Sequence, residues 1–186
     1  MGTVSMDAIK ELRAKYDVPF IGIEPAIKPA AIQSKTNCIG ILATKGTLNS
    51  ELFHKSVTNH PDVKIIEQIG HGLVQLIENG DINSPEMIEL LESYLLPMVE
   101  KNIDYLVLGC SHYPYLIPQI KKIIPSNIKI IDSGEAVAKQ TKRILEENNI
   151  LNNSIEIATQ TFYTNSDPTV LENILENKEK VFYKNF

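Results

Sequence analysis

The segment Leu108-Gly109-Cys110-Ser111-His112-Tyr113-Pro114 sets a thiol and an imidazole two residues apart. The run before it, residues 103–108, is short, apolar and rich in branched side chains, which is typical of a buried parallel strand. Pro114 suits the first position of a helix, so unpaired backbone N–H groups are expected near Cys110, where they would lower the pKa of its thiol. Most lone cysteines are merely small buried hydrophobes. A thiol at a strand-to-helix junction beside a histidine instead predicts a catalytic cysteine.

Overall composition excludes several classes of function. The chain has 186 residues, a net charge of −5 and no tryptophan, so it lacks the basic, aromatic surface expected of a nucleic-acid-binding protein. Its longest apolar runs are only as long as strands, and no basic leader with an apolar segment opens the sequence, so we expect neither a membrane span nor secretion. We therefore expect a cytoplasmic protein. The two cysteines, Cys38 and Cys110, lack C-x-x-C spacing, which argues against a structural zinc site and a disulfide framework.

Helix and strand signals alternate along the whole chain. Branched, apolar runs predict strands at residues 18–23, 38–44, 63–68, 103–108, 128–131 and 155–162. Capping residues and helical spacing of apolar residues predict helices from Ser5 to Tyr16, from Thr47 to His60, at 71–79, from Ser84 to Met98, at 114–124, at 135–148, and from Asp167 onward. A regular alternation of this kind predicts an α/β fold with mainly parallel sheets and helices on both faces.

Motifs near the ends of the predicted strands form a wider pattern. They are Gly22-Ile23-Glu24-Pro25-Ala26, Ile39-Gly40-Ile41-Leu42-Ala43-Thr44-Lys45-Gly46-Thr47, the segment 108–114, Ile131-Asp132-Ser133-Gly134-Glu135-Ala136 and the segment 162–168. Taken together, these motifs resemble the glutamate racemase family, a cofactor-independent branch of the aspartate/glutamate racemases. The likeness runs from Thr3 to nearly the last residue.

The resemblance implies an amino-acid racemase that converts L-glutamate to D-glutamate for peptidoglycan precursors, with no cofactor and no metal. An amino-acid α-hydrogen is a very weak acid, so such an enzyme depends on positioned bases and a preorganised electrostatic pocket. Inversion also needs a proton acceptor on one face of the α-carbon and a proton donor on the other. In this family a pair of cysteines supplies both groups, and Cys110 corresponds to the second of them.

The resemblance also assigns roles to other residues of the site. By the family pattern His112 assists the thiol of Cys110, and Glu78 helps to poise His112. The residues implied to bind the substrate are Thr3, Thr44, Thr47, Ser111 and His112. Taken without the resemblance, Thr44 and Thr47 are typical of a turn and a helix cap, and Glu78 is typical of a solvated surface.

The sequence departs from the family pattern at its start. The first catalytic cysteine is expected in an Ala-Cys-Asn-Thr motif that follows an Asp-Ser pair. Here Met1-Gly2 stands where Cys-Asn would be, and Thr3 takes the place of the threonine. We therefore expect a chain that lacks the N-terminal segment, through truncation or through a coding region begun too late. Without the partner thiol we expect this chain to be inactive as a racemase.

The family fold implies two pseudo-symmetric α/β lobes with mainly parallel sheets flanked by helices, and a glutamate substrate between them. Residues 26–132 would form a complete lobe that carries Cys110. Residues 3–25 together with 133–186 would form the remainder of the other lobe, incomplete in this chain because its N-terminal part is missing. The exposed edges of such a lobe favour self-association, so a homodimer is one expected partner, whereas nucleic acid and membranes are not.

Three other functions stay open at this point. A related aspartate or hydantoin racemase, or a maleate isomerase, would use the same paired thiols. A binding domain that has lost catalysis with its first thiol would keep the fold. A metal-dependent hydrolase would use Cys110, His112 and His71 as ligands, although their spacing matches no usual ligand set. Cys38, inside a predicted strand, is expected to be inert packing, and His71 to be structural.

Overall fold

Four strands form one parallel sheet, and helices cover both of its faces. The computed structural model describes the backbone of residues 2–186 and the side chains of residues 8–186. The strands are β1 (Cys38–Ala43), β2 (Lys64–Ile69), β3 (Tyr105–Gly109), β4 (Lys129–Ile131), β5 (Phe162–Thr164) and β6 (Val181–Tyr183). The helices are α1 (Gly2–Lys15), α2 (Ile27–Gln33), α3 (Lys45–Leu48), α4 (Glu51–Thr58), α5 (Leu73–Glu78), α6 (Pro85–Glu100), α7 (Ile117–Ile123), α8 (Gly134–Glu147) and α9 (Pro168–Ile174).

The strand order of the larger sheet is β2-β1-β3-β4, and each neighbouring pair is parallel. Both central strands, β1 and β3, are buried along their whole length. Successive side chains of a strand point to opposite faces. Leu42 and Leu106 accordingly pack with α5, α6 and α7, whereas Ile41 and Val107 pack with α2 and α4. The predicted α/β fold, with parallel strands between layers of helices, is confirmed.

The parallel strands of the larger sheet end at the same edge, so the segments that follow them begin there. Ala43, the last residue of β1, lies beside Ile69 and Gly109, the last residues of β2 and β3. The loops that follow these strands therefore start side by side, and open α/β sheets bind their ligands at this carboxyl edge. Cys110 leaves the sheet here, immediately after β3.

Two predicted strands are wrong in whole or in part. Residues 18–23 have no regular secondary structure, and the Arg13 guanidinium donates a hydrogen bond to the Phe20 carbonyl over 2.7 Å. In the segment 155–162 only Phe162 enters a strand, while Ile155 and Ile157 are fully exposed. Branched apolar runs become strands only where a neighbouring strand offers hydrogen bonds and side-chain packing. In the part of the chain that the structure describes, no strand pairs with 18–23 or with 155–161.

Two predicted helix starts also differ from the structure. Helix α1 begins at Gly2, so Ser5 lies inside the helix rather than at its cap. The helix predicted at 114–124 is a 3₁₀ turn over Tyr113–Leu116 followed by α7. Proline lacks a backbone N–H, and its ring clashes with the carbonyl four residues earlier in a continuous α-helix. Pro118 therefore permits an α-helix only when it falls in the first turn, as it does in α7.

The larger sheet lies inside residues 26–132, and the segments after it form a smaller unit. Strands β5 and β6 make a separate two-stranded parallel sheet, against which α9 lies. The division of the chain into two lobes stays a prediction. None of the helices in the described part of the chain is long and apolar enough to cross a membrane.

The Asp104 carboxylate ties the start of β3 to the loop before β1. It accepts hydrogen bonds from the Ser34 hydroxyl over 2.7 Å and from the backbone N–H groups of Lys35 and Thr36 over 2.5 and 3.1 Å. Burial alone would raise the pKa of Asp104, but these hydrogen bonds outweigh it, and the pKa is lowered.

Asp104→Asn is expected to lower the free energy of unfolding at pH 7 by about 2 kcal/mol, because hydrogen bonds to a charged acceptor are lost. A lowered native pKa contributes stability above the unfolded pKa of about 3.9, and that stability is lost as the pH falls through the native value. The difference between wild type and variant should therefore shrink in acid. Urea unfolding from pH 7 to pH 3 measures it. The exposed Asp62→Asn serves as the control, and an equal loss from both substitutions would contradict the assignment.

Candidate active site

Cys110, His112 and Glu78 form a chain of contacts at the carboxyl edge of the sheet. The Sγ of Cys110 lies 3.9 Å from Nδ1 of His112. The opposite ring nitrogen, Nε2, lies 3.1 Å from the Oε1 of Glu78, the last residue of α5. The side chain of His112 is 18% exposed and that of Glu78 is 61% exposed. The three groups thus connect a half-buried thiol to solvent through an imidazole and a carboxylate.

The contact with Glu78 fixes which nitrogen of a neutral His112 carries the proton. A neutral imidazole has one N–H donor and one acceptor nitrogen, and a carboxylate can only accept. Nε2 therefore donates to Glu78, and Nδ1 presents its lone pair toward the thiol of Cys110. In this arrangement His112 can take the thiol proton, and the carboxylate can stabilise the imidazolium that results.

Burial raises the pKa of the Cys110 thiol, and the negative charge of Glu78 adds to this effect. The backbone N–H groups of His112 and Tyr113 lower it, but they do not compensate for burial. The expectation that a helix start lowers this pKa is therefore wrong. The α-helix begins at Ile117 rather than at Pro114, and the thiol is half-buried. At neutral pH the thiolate must be generated by a base, for which His112 is in place.

Alkylation of Cys110 is expected to accelerate with pH along a curve displaced upward from the roughly 8.5 of a free cysteine. The raised pKa leaves less thiolate at pH 7, so the rate there should be below that of an exposed thiol. Iodoacetamide labelling between pH 6 and pH 10, with mass-spectrometric readout of each cysteine, measures the curve. Cys38 is the internal control, because it is 6% exposed within β1 and should react only on unfolding. A curve that coincides with free cysteine would refute the expectation.

A cavity of about 140 Å³ lies beside the thiol. Its walls include Cys110 and Ser111 from the end of β3, Thr47 from α3, and Ser133 from the segment after β4. The Ser133 hydroxyl donates to the Glu24 carbonyl, which joins the segment after β4 to the segment before α2. The volume is below the roughly 300–1,000 Å³ of sites for drug-sized ligands, so a small metabolite suits it better.

The two predicted threonines occupy different positions around this cavity. Thr47 is 2% exposed and lines the cavity, whereas Thr44 does not line it and is the N-cap of α3. Their hydroxyl oxygens are 2.9 Å apart, and the Thr47 N–H donates to the Thr44 oxygen over 3.3 Å. The capping interpretation of Thr44 is confirmed, and its hydroxyl contacts that of the cavity-lining Thr47.

Two further predicted residues are Thr3 and His71. Thr3 lies in α1, but its side chain is outside the described side chains. His71 is held through its carbonyl, which accepts a hydrogen bond from the Tyr94 hydroxyl over 3.0 Å. Within residues 8–186, no three His, Cys, Asp or Glu side chains are placed to share a metal ion. The trio required by a metal-dependent hydrolase is therefore not assembled in this part of the chain.

Cys38 has the surroundings of a packing residue. Its Sγ lies 3.4 Å from the Lys101 carbonyl, and burial raises the pKa of its thiol. The predicted site residues do not include three polar residues that line the cavity, Glu24, Asp132 and Ser133, although all three stand in the motifs described above. Ser133 is the second residue after the end of β4, and its place at the carboxyl edge of the sheet is the signal that could have found it.

Comparison with known proteins gives a consistent result. The profile of the Asp/Glu/Hydantoin racemase family matches residues 1–141. The chain is 41% identical over 175 residues to the glutamate racemase of Pseudomonas entomophila, covering 93% of this chain and 66% of that protein. It is 43% identical over 171 residues to the glutamate racemase of Ralstonia pickettii, covering 91% of this chain and 60% of that protein. The chain thus spans about two thirds, or less, of the length of these relatives.

Solved structures show the same relationship. Escherichia coli glutamate racemase, in complex with L-glutamate and the activator UDP-MurNAc-ala, superposes with a TM-score of 0.81 at 26% identity, covering 98% of this chain and 70% of that one. The RacE1 isoform of glutamate racemase from Bacillus anthracis gives a TM-score of 0.81 at 26% identity, covering 100% of this chain and 71% of that one.

Proposed function

Because the chain belongs to the Asp/Glu/Hydantoin racemase family, we propose that it acts in the racemisation of glutamate, with Cys110 as the acid and base on one face of the substrate. The family resemblance of its sequence motifs is confirmed by its 41% identity with glutamate racemases. The observation that carries the proposal is the contact chain from the Cys110 thiol through His112 to Glu78, beside a cavity of small-metabolite size.

The proposed chemistry is a proton transfer at the α-carbon. His112 takes the thiol proton of Cys110, and the resulting thiolate removes the α-hydrogen from one enantiomer of glutamate. A second thiol then delivers a proton to the opposite face and becomes a thiolate itself. In the reverse direction the two thiols exchange roles. Only protons are transferred, so no electrons are gained or lost and no cofactor is consumed.

The substrate is proposed to lie in the cavity beside Cys110. The Thr47 hydroxyl and the Ser111 hydroxyl and backbone N–H are donors for its carboxylates. Thr44 contributes by holding Thr47, over the 2.9 Å contact between their hydroxyls. The proposed roles of Thr3 and of His112 in substrate binding complete the set that the family pattern implies.

The second thiol of this mechanism is not Cys38. The chain contains only two cysteines, and Cys38 is buried inside β1 with its sulfur against the Lys101 carbonyl. We therefore propose that the partner thiol comes from an Ala-Cys-Asn-Thr motif that residues 1–186 do not include. A polypeptide in which Met1-Gly2 is replaced by a longer N-terminal segment that ends in Ala-Cys-Asn, so that Thr3 completes the motif, is called the extended chain below.

Residues 1–186 alone are expected not to racemise either enantiomer of glutamate above the rate in buffer, because Cys110 can serve only one face of the α-carbon. The extended chain is expected to racemise both enantiomers. Circular dichroism of glutamate in metal-free buffer measures the reaction. The matched control is the extended chain with Ala-Ser-Asn-Thr in place of the motif, which should be inactive. Racemisation by residues 1–186 would overturn the two-thiol mechanism.

The same extended chain tests the substrate and the biological role. We propose that its product, D-glutamate, supplies peptidoglycan precursors in the cytoplasm. An extended chain with this role should restore growth to a bacterium that needs added D-glutamate because its own racemase is deleted. A preference for aspartate, hydantoin or maleate in the assay, with no growth restored, would instead favour a neighbouring activity of the family.

A further inference from the structure

Tyr113 follows His112 directly, and its side chain is fully buried. Its hydroxyl donates a hydrogen bond to the Gly70 carbonyl over 3.1 Å. Burial raises the pKa of Tyr113, so its hydroxyl stays protonated and remains a donor. The Tyr113 N–H donates to the Cys110 carbonyl over 3.2 Å, which closes the turn that carries Cys110 and His112. The ring of Tyr113 thus anchors the catalytic turn in the core.

Gly70 accepts this contact because it has no side chain. A Cβ at this position would clash with the Tyr113 hydroxyl oxygen and would lie 2.7 Å from Cδ1 of Leu73. The Gly70 N–H donates to the Ala43 carbonyl over 2.9 Å, so the residue is fixed to the end of β1. The hydroxyl of Tyr113 therefore binds a rigid point of the sheet edge.

The loop that begins at Gly70 leads into α5, which ends at Glu78. Gly72, with φ of +78°, turns the chain into this six-residue helix. A closed path therefore runs from His112 through Tyr113, Gly70 and α5 to Glu78, and back to His112 through the 3.1 Å contact of Nε2 with the carboxylate. Within the described side chains, Glu78 has no other hydrogen-bond partner, and 61% of its side chain is exposed.

We propose that Tyr113 is a positioning residue, whose hydrogen bond to Gly70 sets the distance between the catalytic turn and α5 so that Glu78 holds the ring of His112 with Nδ1 toward Cys110. This inference rests on the proposed function, because that function gives the contacts from Cys110 to Glu78 a catalytic role. The geometry explains why a buried hydroxyl stands beside the catalytic histidine. Phenylalanine would fill the same space but leave the Gly70 carbonyl without its partner.

The tautomer of His112 tests the inference without any racemase activity. Long-range ¹H–¹⁵N spectra of the histidine rings in residues 1–186 should show the Nε2–H form in the wild type and a mixture of tautomers in Tyr113→Phe. The matched control is Tyr105→Phe, which also removes a buried tyrosine hydroxyl, bonded to Gln33 and Lys129 on the far side of β3. It should leave the His112 signals unchanged. An unchanged tautomer in Tyr113→Phe would overturn the inference.

A second variant keeps the test valid if Tyr113→Phe fails to fold. Gly70→Ala retains the hydroxyl but displaces it from the carbonyl, and it should produce the same mixture of tautomers. In the extended chain, Tyr113→Phe should lower kcat about tenfold with little change in KM, and it should have almost no further effect when Glu78→Gln is already present. Additive losses would overturn the action through Glu78. An inactive extended chain with the expected tautomers would contradict the proposed function while supporting the positioning role.

Discussion

Cys110→Ser is expected to lower the rate of glutamate racemisation by the extended chain by roughly a thousandfold or more, the upper range of general acid–base catalysis. A serine hydroxyl is a far weaker acid than a thiol, so His112 cannot convert it to a useful base at neutral pH. The substitution is nearly isosteric, and the 140 Å³ cavity should keep its shape. Initial rates from both enantiomers measure the loss, because removal of one acid–base group must slow both directions.

Cys38→Ser is the matched control for this substitution. It exchanges the same atoms in β1, where the new hydroxyl can donate to the Lys101 carbonyl that the sulfur now contacts over 3.4 Å. Racemisation should stay within about twofold of the wild type, because surface and packing changes away from the site alter stability rather than the barrier. Equal losses from both serine substitutions would remove Cys110 from its proposed role.

His112→Ala is expected to lower kcat of the extended chain by roughly a hundredfold, within the usual range for one general base. The raised pKa of Cys110 leaves the thiol protonated at neutral pH, so a site without the imidazole forms little thiolate. A second cavity, of about 450 Å³, is lined by His112 and Glu78 together with Tyr163 and Phe186. Imidazole added to the solution can enter there and should restore part of the activity.

His54→Ala is the control, because His54 is exposed on α4, where its ring packs on Phe53. It should leave kcat and KM unchanged, and imidazole should have no effect on it. Steady-state rates measured over a series of imidazole concentrations distinguish the two variants. Loss of activity without any rescue, in a variant that is folded, would indicate that His112 acts as a binding residue only.

The local part of the site could be predicted from the sequence, because its groups are close along the chain. A buried strand, a glycine and a thiol two residues before a histidine placed Cys110 and His112 at the carboxyl edge of the sheet. Glu78 lies 34 residues from His112, and its place in the site came only from the family pattern. Nothing in the pattern of α5 itself distinguishes a helix-end carboxylate in solvent from one that holds a histidine.

The errors have physical causes that a sequence pattern does not contain. The direction of the Cys110 pKa depends on how much water its sulfur has lost, and this follows from the packing of loops that are distant in sequence. Residues 18–23 and 155–161 carry the side chains of strands but have no partner strand in the described chain. Hydrogen bonding between strands is a property of two segments, so one segment alone does not determine it.

The strand order β2-β1-β3-β4 also determines when the Cys38 thiol becomes buried during synthesis of the chain. Strands β1 and β2 can pair as soon as both have left the ribosome, but the free edge of β1 stays open until β3 is made more than thirty residues later. Pairing of strands that are distant in sequence is slow. We expect the Cys38 thiol to stay open to oxidants on the nascent chain until β3 has been made and has paired with β1. A thiol that is buried in the native fold, as that of Cys38 is, is thus exposed to oxidation chiefly while the chain is being synthesised.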